Sequence, residues 1–287
     1  MISKEVLERA RKITKNFGRG FYRASFLFPK KVREATWVFY AFVRLPDEMV
    51  DSQSDLAKAK KDLEKYINNW HSVLEGKKEP THDPILFATK EVFDKYNIPY
   101  DYSHSFLKAM DQDLTKNRYY TYQELEEYMY GTASVVGLAM SYIIGFKDGA
   151  LTHAKALGEA FQLINFLRDS KDDFDSRGRI YLPKEDMERF GVTEDHIKNS
   201  IFDQAWRDLM AFEVQRAKDL LENGKQGIPM LRGRGRSAVY ASYLIYKKLL
   251  EEIEKENYNT FSKRIVISPL QKTMLLLKSI WTKNLQS

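Results

Sequence analysis

Apolar residues recur along this chain at three- and four-residue steps, and the pattern predicts one helix after another. Ser3 to about Phe17 reads as an amphipathic helix, with Ser3 and Glu5 as start residues and Gly18-Arg19-Gly20 as its break. Pro29 opens a second helix in which Val32, Ala35, Trp37, Val38, Tyr40, Ala41 and Phe42 are core positions. The charged stretch from Asp51 to about Pro80 reads as a surface helix, LAKAKKDLEKYINNWHSVLEG, and a loop, GKKEPTHDP. Ile85–Tyr96 and Tyr102–Leu114 follow as helices, parted by a turn at Asn97-Ile98-Pro99. Tyr128–Phe146 carries no charge, and its length alone admits a membrane span. Its tyrosines, serines and glycines fit a central helix buried on all sides better than a lipid-facing one. A long helix from Gln162 leads to Pro183, and two or three more are expected beyond it. The fold class is all-α, and no repeat, linker or low-complexity tract divides it, so residues 1–287 read as a single domain.

Carboxylates add chemistry to this frame. Asn165, Asp169 and Asp173 recur at four-residue steps and therefore stack along one helix face, with Arg168 in front and Asp172 and Asp175 nearby. Stacked carboxylates repel one another and are costly to desolvate, so a cation should neutralise them. Hard oxygens one turn apart suit Mg²⁺, which takes one or two carboxylates and leaves its other positions to water and phosphate. A lone Asp-x-x-x-Asp is ordinarily an exposed acidic helix end. Here a second pair exists, Asp47 and Asp51, again with an arginine upstream at Arg44. The two pairs predict opposed metal-binding walls around a diphosphate, with Arg44 as a forked phosphate clamp. Pro46 complicates the first wall, since it either kinks the helix or begins a fresh turn. Asp111 and Asp113 read as an acidic patch at a helix end.

Composition narrows the partners. A net charge of +6 favours anions: diphosphates, an acidic membrane surface or nucleic acid. No nucleic-acid motif accompanies it, so nucleic acid is set aside. The chain has no cysteine, which excludes disulfides and thiolate metal sites and fits a cytoplasmic setting. Its five histidines form no close ligand pair, which argues against zinc. The N-terminus lacks the apolar core of a signal peptide. The tail SPLQKTMLLLKSIWTKN mixes leucines, Ile280 and Trp281 with Lys272, Lys278 and Lys283. It either caps the core or makes a peripheral contact with an anionic membrane.

Three blocks carry a resemblance that covers nearly the whole chain: FYRASFLFPKKVREATWVFYAFVRLPDEMVD at Phe21–Asp51, YMYGTASVVGLAM at Tyr128–Met140, and QLINFLRDSKDDFDSRGRIYLP from Gln162. The chain resembles the phytoene/squalene synthase family of head-to-head prenyl synthases. The resemblance implies an isoprenoid-synthase-type helical bundle around a central hydrophobic cavity. It implies a transferase that condenses two prenyl diphosphates, geranylgeranyl or farnesyl, through a cyclopropyl diphosphate to phytoene or dehydrosqualene. By the same carry-over, Asp47, Asp51, Asp169 and Asp173 are catalytic and, with Asn165, hold Mg²⁺. The resemblance likewise implies that Arg44, Tyr130, Gln162, Asn165, Arg168, Tyr246 and Arg264 bind substrate, with pairing to a neighbouring carboxylate as the alternative for Arg168, and that the counterpart of Asp111 and Asp113 lies near the cavity wall. The family's Ser-x-Ser-Phe pattern is replaced by Gly18 and Gly20, whose backbone N–H groups either approach the anion or simply form a turn.

Two other readings stay open at this level. A squalene synthase would need NADPH; no glycine-rich dinucleotide fingerprint is present, but those enzymes do not use a Rossmann domain. Cavity length decides between the C15 and C20 substrates, which a sequence does not measure, while the FYRASFLFP and GRIYLP blocks favour phytoene. A non-catalytic relative acting as an assembly scaffold is favoured by Gly18, Gly20 and Pro46. The four retained aspartates argue against it, since a dead site has no need of repulsive carboxylates. A chain elongase would want Asp-Asp-x-x-Asp walls, which Asp47-Glu48 does not match.

Overall fold

A computed structural model describes residues 2–51, 55–77 and 83–281 of the chain. Helix α1 (Lys4–Phe17) starts where the Ser3 side chain accepts the Val6 N–H at 3.3 Å, and it stops at Gly18. A short α2 (Arg19–Ala24) and a 3₁₀ turn lead into α3 (Lys30–Asp51), which continues as helix straight through Pro46.

Asp55 caps α4 (Leu56–Leu74) by accepting the N–H groups of Ala57 and Lys58. This helix is more than a surface element. Leu63, Tyr66, Trp70 and Val73 recur on its inner face and are buried, because a helix covered in lysine still hides one apolar stripe. The loop expected after it lies partly outside the described residues. Helix α5 (Pro84–Tyr96) ends at Asn97, which takes the left-handed conformation that turns the chain into α6 (Tyr100–Gln112).

The uncharged stretch is not one regular helix. Thr121 caps α7 (Tyr122–Met129), a π-helical turn covers Tyr130–Ser134, and α8 (Val135–Ile144) completes it. The wider turn accommodates a close crossing of α9 (Ala150–Arg177), where a Cβ on Gly158 would stand 2.5 Å from the Ala133 carbonyl oxygen. Helix α9 ends at Gly178, whose φ of 63° suits glycine.

Five helices follow among the described residues, against the two or three expected: α10 (Lys184–Arg189), α11 (Glu194–Lys198), α12 (Gln204–Gln226), α13 (Gly235–Lys255) and α14 (Pro269–Trp281). The first two are six and five residues long, too short to leave a periodic signal. One core cluster gathers α9, α12 and α13 around Leu163, Leu167, Leu209 and Leu250. Another gathers α3 to α6 around Phe42, Trp70, Phe93 and Phe106. No described helix is long and apolar enough to cross a membrane.

Candidate active site

The last two turns of α3 and of α9 supply the two acidic walls, and each aspartate already meets an arginine. Arg44 pairs with both Asp47 and Glu48 on its own helix and lies 5.1 Å above the Phe17 ring. Its Nε is buried and without a hydrogen-bond partner among the described residues. On α9, Arg168 grips its neighbour Asp169, and Arg264 reaches in from the segment after α13 to place Nε and Nη2 3.0 Å from the same carboxylate. Arg177 crosses from α9 to Asp51 at 2.9 Å and lies 3.9 Å from Asp173. The walls therefore face each other.

Burial and like charge act on these groups unequally. Burial, with Asp51 next, pushes Asp47 up to about 6. Burial and then the Asp169 charge push Asp173 up to about 6. Asp169 is also buried, but its bonds to Arg168 and Arg264 outweigh that and hold it below the usual carboxylate range. The site is an acidic pair of faces only partly neutralised by its own arginines.

Sequence reasoning reads the floor of this site mainly as a helix-end patch, with only the family counterpart of Asp111 and Asp113 near the cavity wall. Asp113 is no mere helix-end patch: it follows α6, its side chain is 6% exposed, and the Tyr128 hydroxyl donates to both its oxygens at 2.7 and 3.0 Å. Arg179 spans Asp51 at 3.4 Å, Asp113 at 4.0 Å and the Tyr181 hydroxyl at 3.2 Å. Burial outweighs the Arg179 and Tyr128 contacts and pushes Asp113 up to about 7. Arg177, Arg179 and Tyr181 all lie in the DSRGRIYLP segment, so the signal was present there as two arginines and a tyrosine following the second aspartate pair.

Next to the walls opens a cavity of about 450 Å³. Along α9 its wall is Asn165, Gln162, Phe161, Gly158, Leu157, Ala154 and Ala150, one continuous helix face. Tyr246 lines it from α13, stacked on Phe161 at 4.0 Å and accepting a bond from Asn165 at 3.3 Å. Tyr130 is not brought to this wall. It begins the π-helical turn, is 36% exposed, and the turn directs Thr132, Ala133 and Val136 to the cavity instead. Gly18 gives its N–H to the Thr14 carbonyl at 2.9 Å and so serves as a turn. A Cβ there would stand 2.6 Å from the Tyr40 hydroxyl, whereas Gly20 lines the cavity with open space beside it.

The donor set fits a hard divalent cation held in part by other ligands. Among the described residues no three carboxylates or histidines converge on a single ion position. Each wall offers one carboxylate of raised proton affinity, Asp47 on one and Asp173 on the other, and phosphate and water would complete the coordination of Mg²⁺.

An all-helical shell with two acidic faces beside an apolar cavity is the architecture of an isoprenoid synthase. The model of the squalene/phytoene synthase family matches residues 14–271. The 15-cis-phytoene synthase of Synechocystis sp. is 33% identical over 292 residues, covering 97% of this chain and 85% of that protein. A dehydrosqualene synthase crystal structure with bound ligand superposes with a TM-score of 0.87 at 29% identity, covering 96% of both chains. The squalene synthase HpnC from Alicyclobacillus acidocaldarius gives 0.81 at 26% identity, covering 90% of this chain and 96% of that one. The chain belongs to the squalene/phytoene synthase family, and it is a prenyltransferase of the head-to-head type.

Proposed function

We propose that residues 1–287 work as one catalytic domain that joins two molecules of geranylgeranyl diphosphate into phytoene. The observation that carries this reading is the pairing of two arginine-clasped acidic walls with one long apolar cavity. From Asn165 to Ala150 the lining face of α9 rises roughly 22 Å, at 1.5 Å per residue. Each isoprenoid unit adds four carbon–carbon bonds of about 1.5 Å, roughly 5 Å in zigzag, so a C20 tail needs about 20 Å and a C15 tail about 15 Å. The relation to the Synechocystis phytoene synthase supports the same choice.

Asp47, Asp51, Asn165, Asp169 and Asp173 would hold Mg²⁺, which supplies positive charge against the departing diphosphate. Arg44, Arg168 and Arg264 turn guanidinium groups toward that charge as they leave their carboxylate partners. Loss of one diphosphate leaves an allylic cation, which the double bond of the second substrate attacks, and loss of a proton from the joined carbon closes the ring of a cyclopropyl diphosphate. The second diphosphate then departs, and rearrangement with proton loss gives the hydrocarbon. Phe161, Tyr246 and the apolar wall exclude water, which would quench the cations. Gln162 and Asn165 orient the substrate heads where polar wall gives way to apolar.

Such a product is insoluble in water, and α14 offers a route to lipid. Leu270, Met274, Leu277 and Trp281 form one exposed stripe on it, at steps of four, three and four, and Lys272 lines the cavity. Residues 257–287 contain five Lys and Arg and no Asp or Glu. That combination favours peripheral contact with an anionic membrane.

The test is incubation of purified protein with Mg²⁺ and either geranylgeranyl or farnesyl diphosphate, with and without NADPH, followed by mass spectrometry of the extract. A C40 triene formed without NADPH is expected. A C30 hydrocarbon from farnesyl diphosphate alone would move the assignment to dehydrosqualene, and an NADPH-dependent one to squalene. No product from folded protein would favour a scaffold.

A further inference from the structure

A proline one residue before the first wall aspartate should damage the helix that carries it. Residue 46 would normally donate its N–H to the Phe42 carbonyl, but proline has no N–H, and its ring presses on that same carbonyl. Helix α3 nevertheless continues to Asp51. The reason lies on the neighbouring helix. The Tyr66 hydroxyl of α4 donates to the Phe42 carbonyl oxygen at 2.9 Å. Phe42 is 0% exposed and Tyr66 4%, so water has little access to that acceptor.

We propose that Tyr66 is a positioning residue for the first acidic wall: its hydroxyl replaces the N–H that Pro46 lacks and so sets where Asp47 and Asp51 point. Both aspartates lie beyond the interrupted bond, so the direction of the wall depends on how the helix crosses from Phe42 to Pro46. Tyr66 is fixed independently, since its ring packs against Phe42 at 6.0 Å and its helix is anchored by fully buried Trp70 and Leu63. It touches neither wall carboxylate. Its effect on the site passes through the backbone alone, and the proposal rests on the reading of Asp47 and Asp51 as metal ligands.

The test is a double-mutant cycle of wild type, Tyr66→Phe, Pro46→Ala and the double variant. Two readouts apply: Mn²⁺ affinity by electron paramagnetic resonance with inorganic pyrophosphate present, and the urea midpoint without metal. Tyr66→Phe keeps the ring but leaves the carbonyl without a partner. It is expected to weaken Mn²⁺ about tenfold and to lower the midpoint. Turnover should recover at saturating Mg²⁺. In the Pro46→Ala background the backbone N–H is restored, so the same change should cost no more than about twofold. If Tyr66→Phe fails to fold while the double variant folds, the coupling stands. The proposal is overturned if Tyr66→Phe is equally damaging in both backgrounds, if neither folds, or if folded Tyr66→Phe binds Mn²⁺ as wild type does. Should wild type itself bind no Mn²⁺, the metal assignment fails, while the metal-free midpoints still decide the hydrogen-bond coupling.

Discussion

Arg177 Nη2 stands 2.9 Å from Asp51 Oδ2, so a side chain of the second wall closes onto the last carboxylate of the first. Without metal this contact bridges α3 and α9 across the site, and a cation arriving at Asp51 must displace it. Arg177→Gln should lower the thermal midpoint in EDTA by about 3 °C. It should also tighten binding of Mn²⁺ alone by about threefold, the worth of a partly exposed ion pair. Calorimetric titration without diphosphate checks this, and weaker Mn²⁺ binding would count against a competing bridge.

Asp47 and Asp169 head the two walls and differ in their surroundings, one pushed up by burial and Asp51, the other held down by Arg168 and Arg264. Asp47→Asn and Asp169→Asn should each reduce turnover by about a hundredfold or more, with the circular dichroism spectrum unchanged. Neutralising a repelled carboxylate also relieves the folded state, so Asp47→Asn is expected to unfold no more easily than wild type. Near-normal turnover in a folded double variant would refute the assignment of the walls.

The fold was legible because helix periodicity, capping residues and breaking glycines are local signals. Ser3 began α1 and Gly18 ended it, as their chemistry requires. The two aspartate pairs were legible for the same reason, since residues four apart on a helix share a face wherever that helix goes. Asp113 and Arg179 were not. They are 66 residues apart in sequence and meet only because α6 and α9 both pack on the π-helical turn at Tyr130–Ser134, a relation no single segment encodes. Tyr66 lay in a stretch whose lysines and glutamates read as surface, and its inward face became meaningful only opposite Pro46. Tyr130 begins a π-helical turn and does not line the cavity, and such a turn leaves no mark in the spacing of apolar residues.

Asp113 gives the site a pH signature. Its folded pKa is about 7 against an ordinary 3.8. Below about 4 the group is protonated in both states. Between about 4 and 7 the unfolded chain has released the proton and the folded protein has kept it, so this group's contribution to stability falls as pH rises and is lost above 7. Urea midpoints of wild type and Asp113→Asn at pH 5 and pH 8 should therefore differ. The wild type gains relative to the variant at pH 5 and loses relative to it at pH 8. A difference independent of pH would show that Asp113 titrates like an exposed carboxylate.

Ala154 lines the cavity about three turns along α9 from Asn165, on the side away from the walls. A phenylalanine there occupies space that the end of a C20 tail would need, while leaving the portion nearer the walls open. Ala154→Phe should thus lower turnover with geranylgeranyl diphosphate relative to farnesyl diphosphate by about tenfold or more, and the extract should shift from C40 toward C30 hydrocarbon. Overpacking costs about 1–3 kcal/mol, so the urea midpoint is measured alongside to separate a blocked cavity from a weakened fold. An unchanged substrate ratio in folded protein would mean that the tail does not run along α9, and the length argument for the C20 substrate would fall with it.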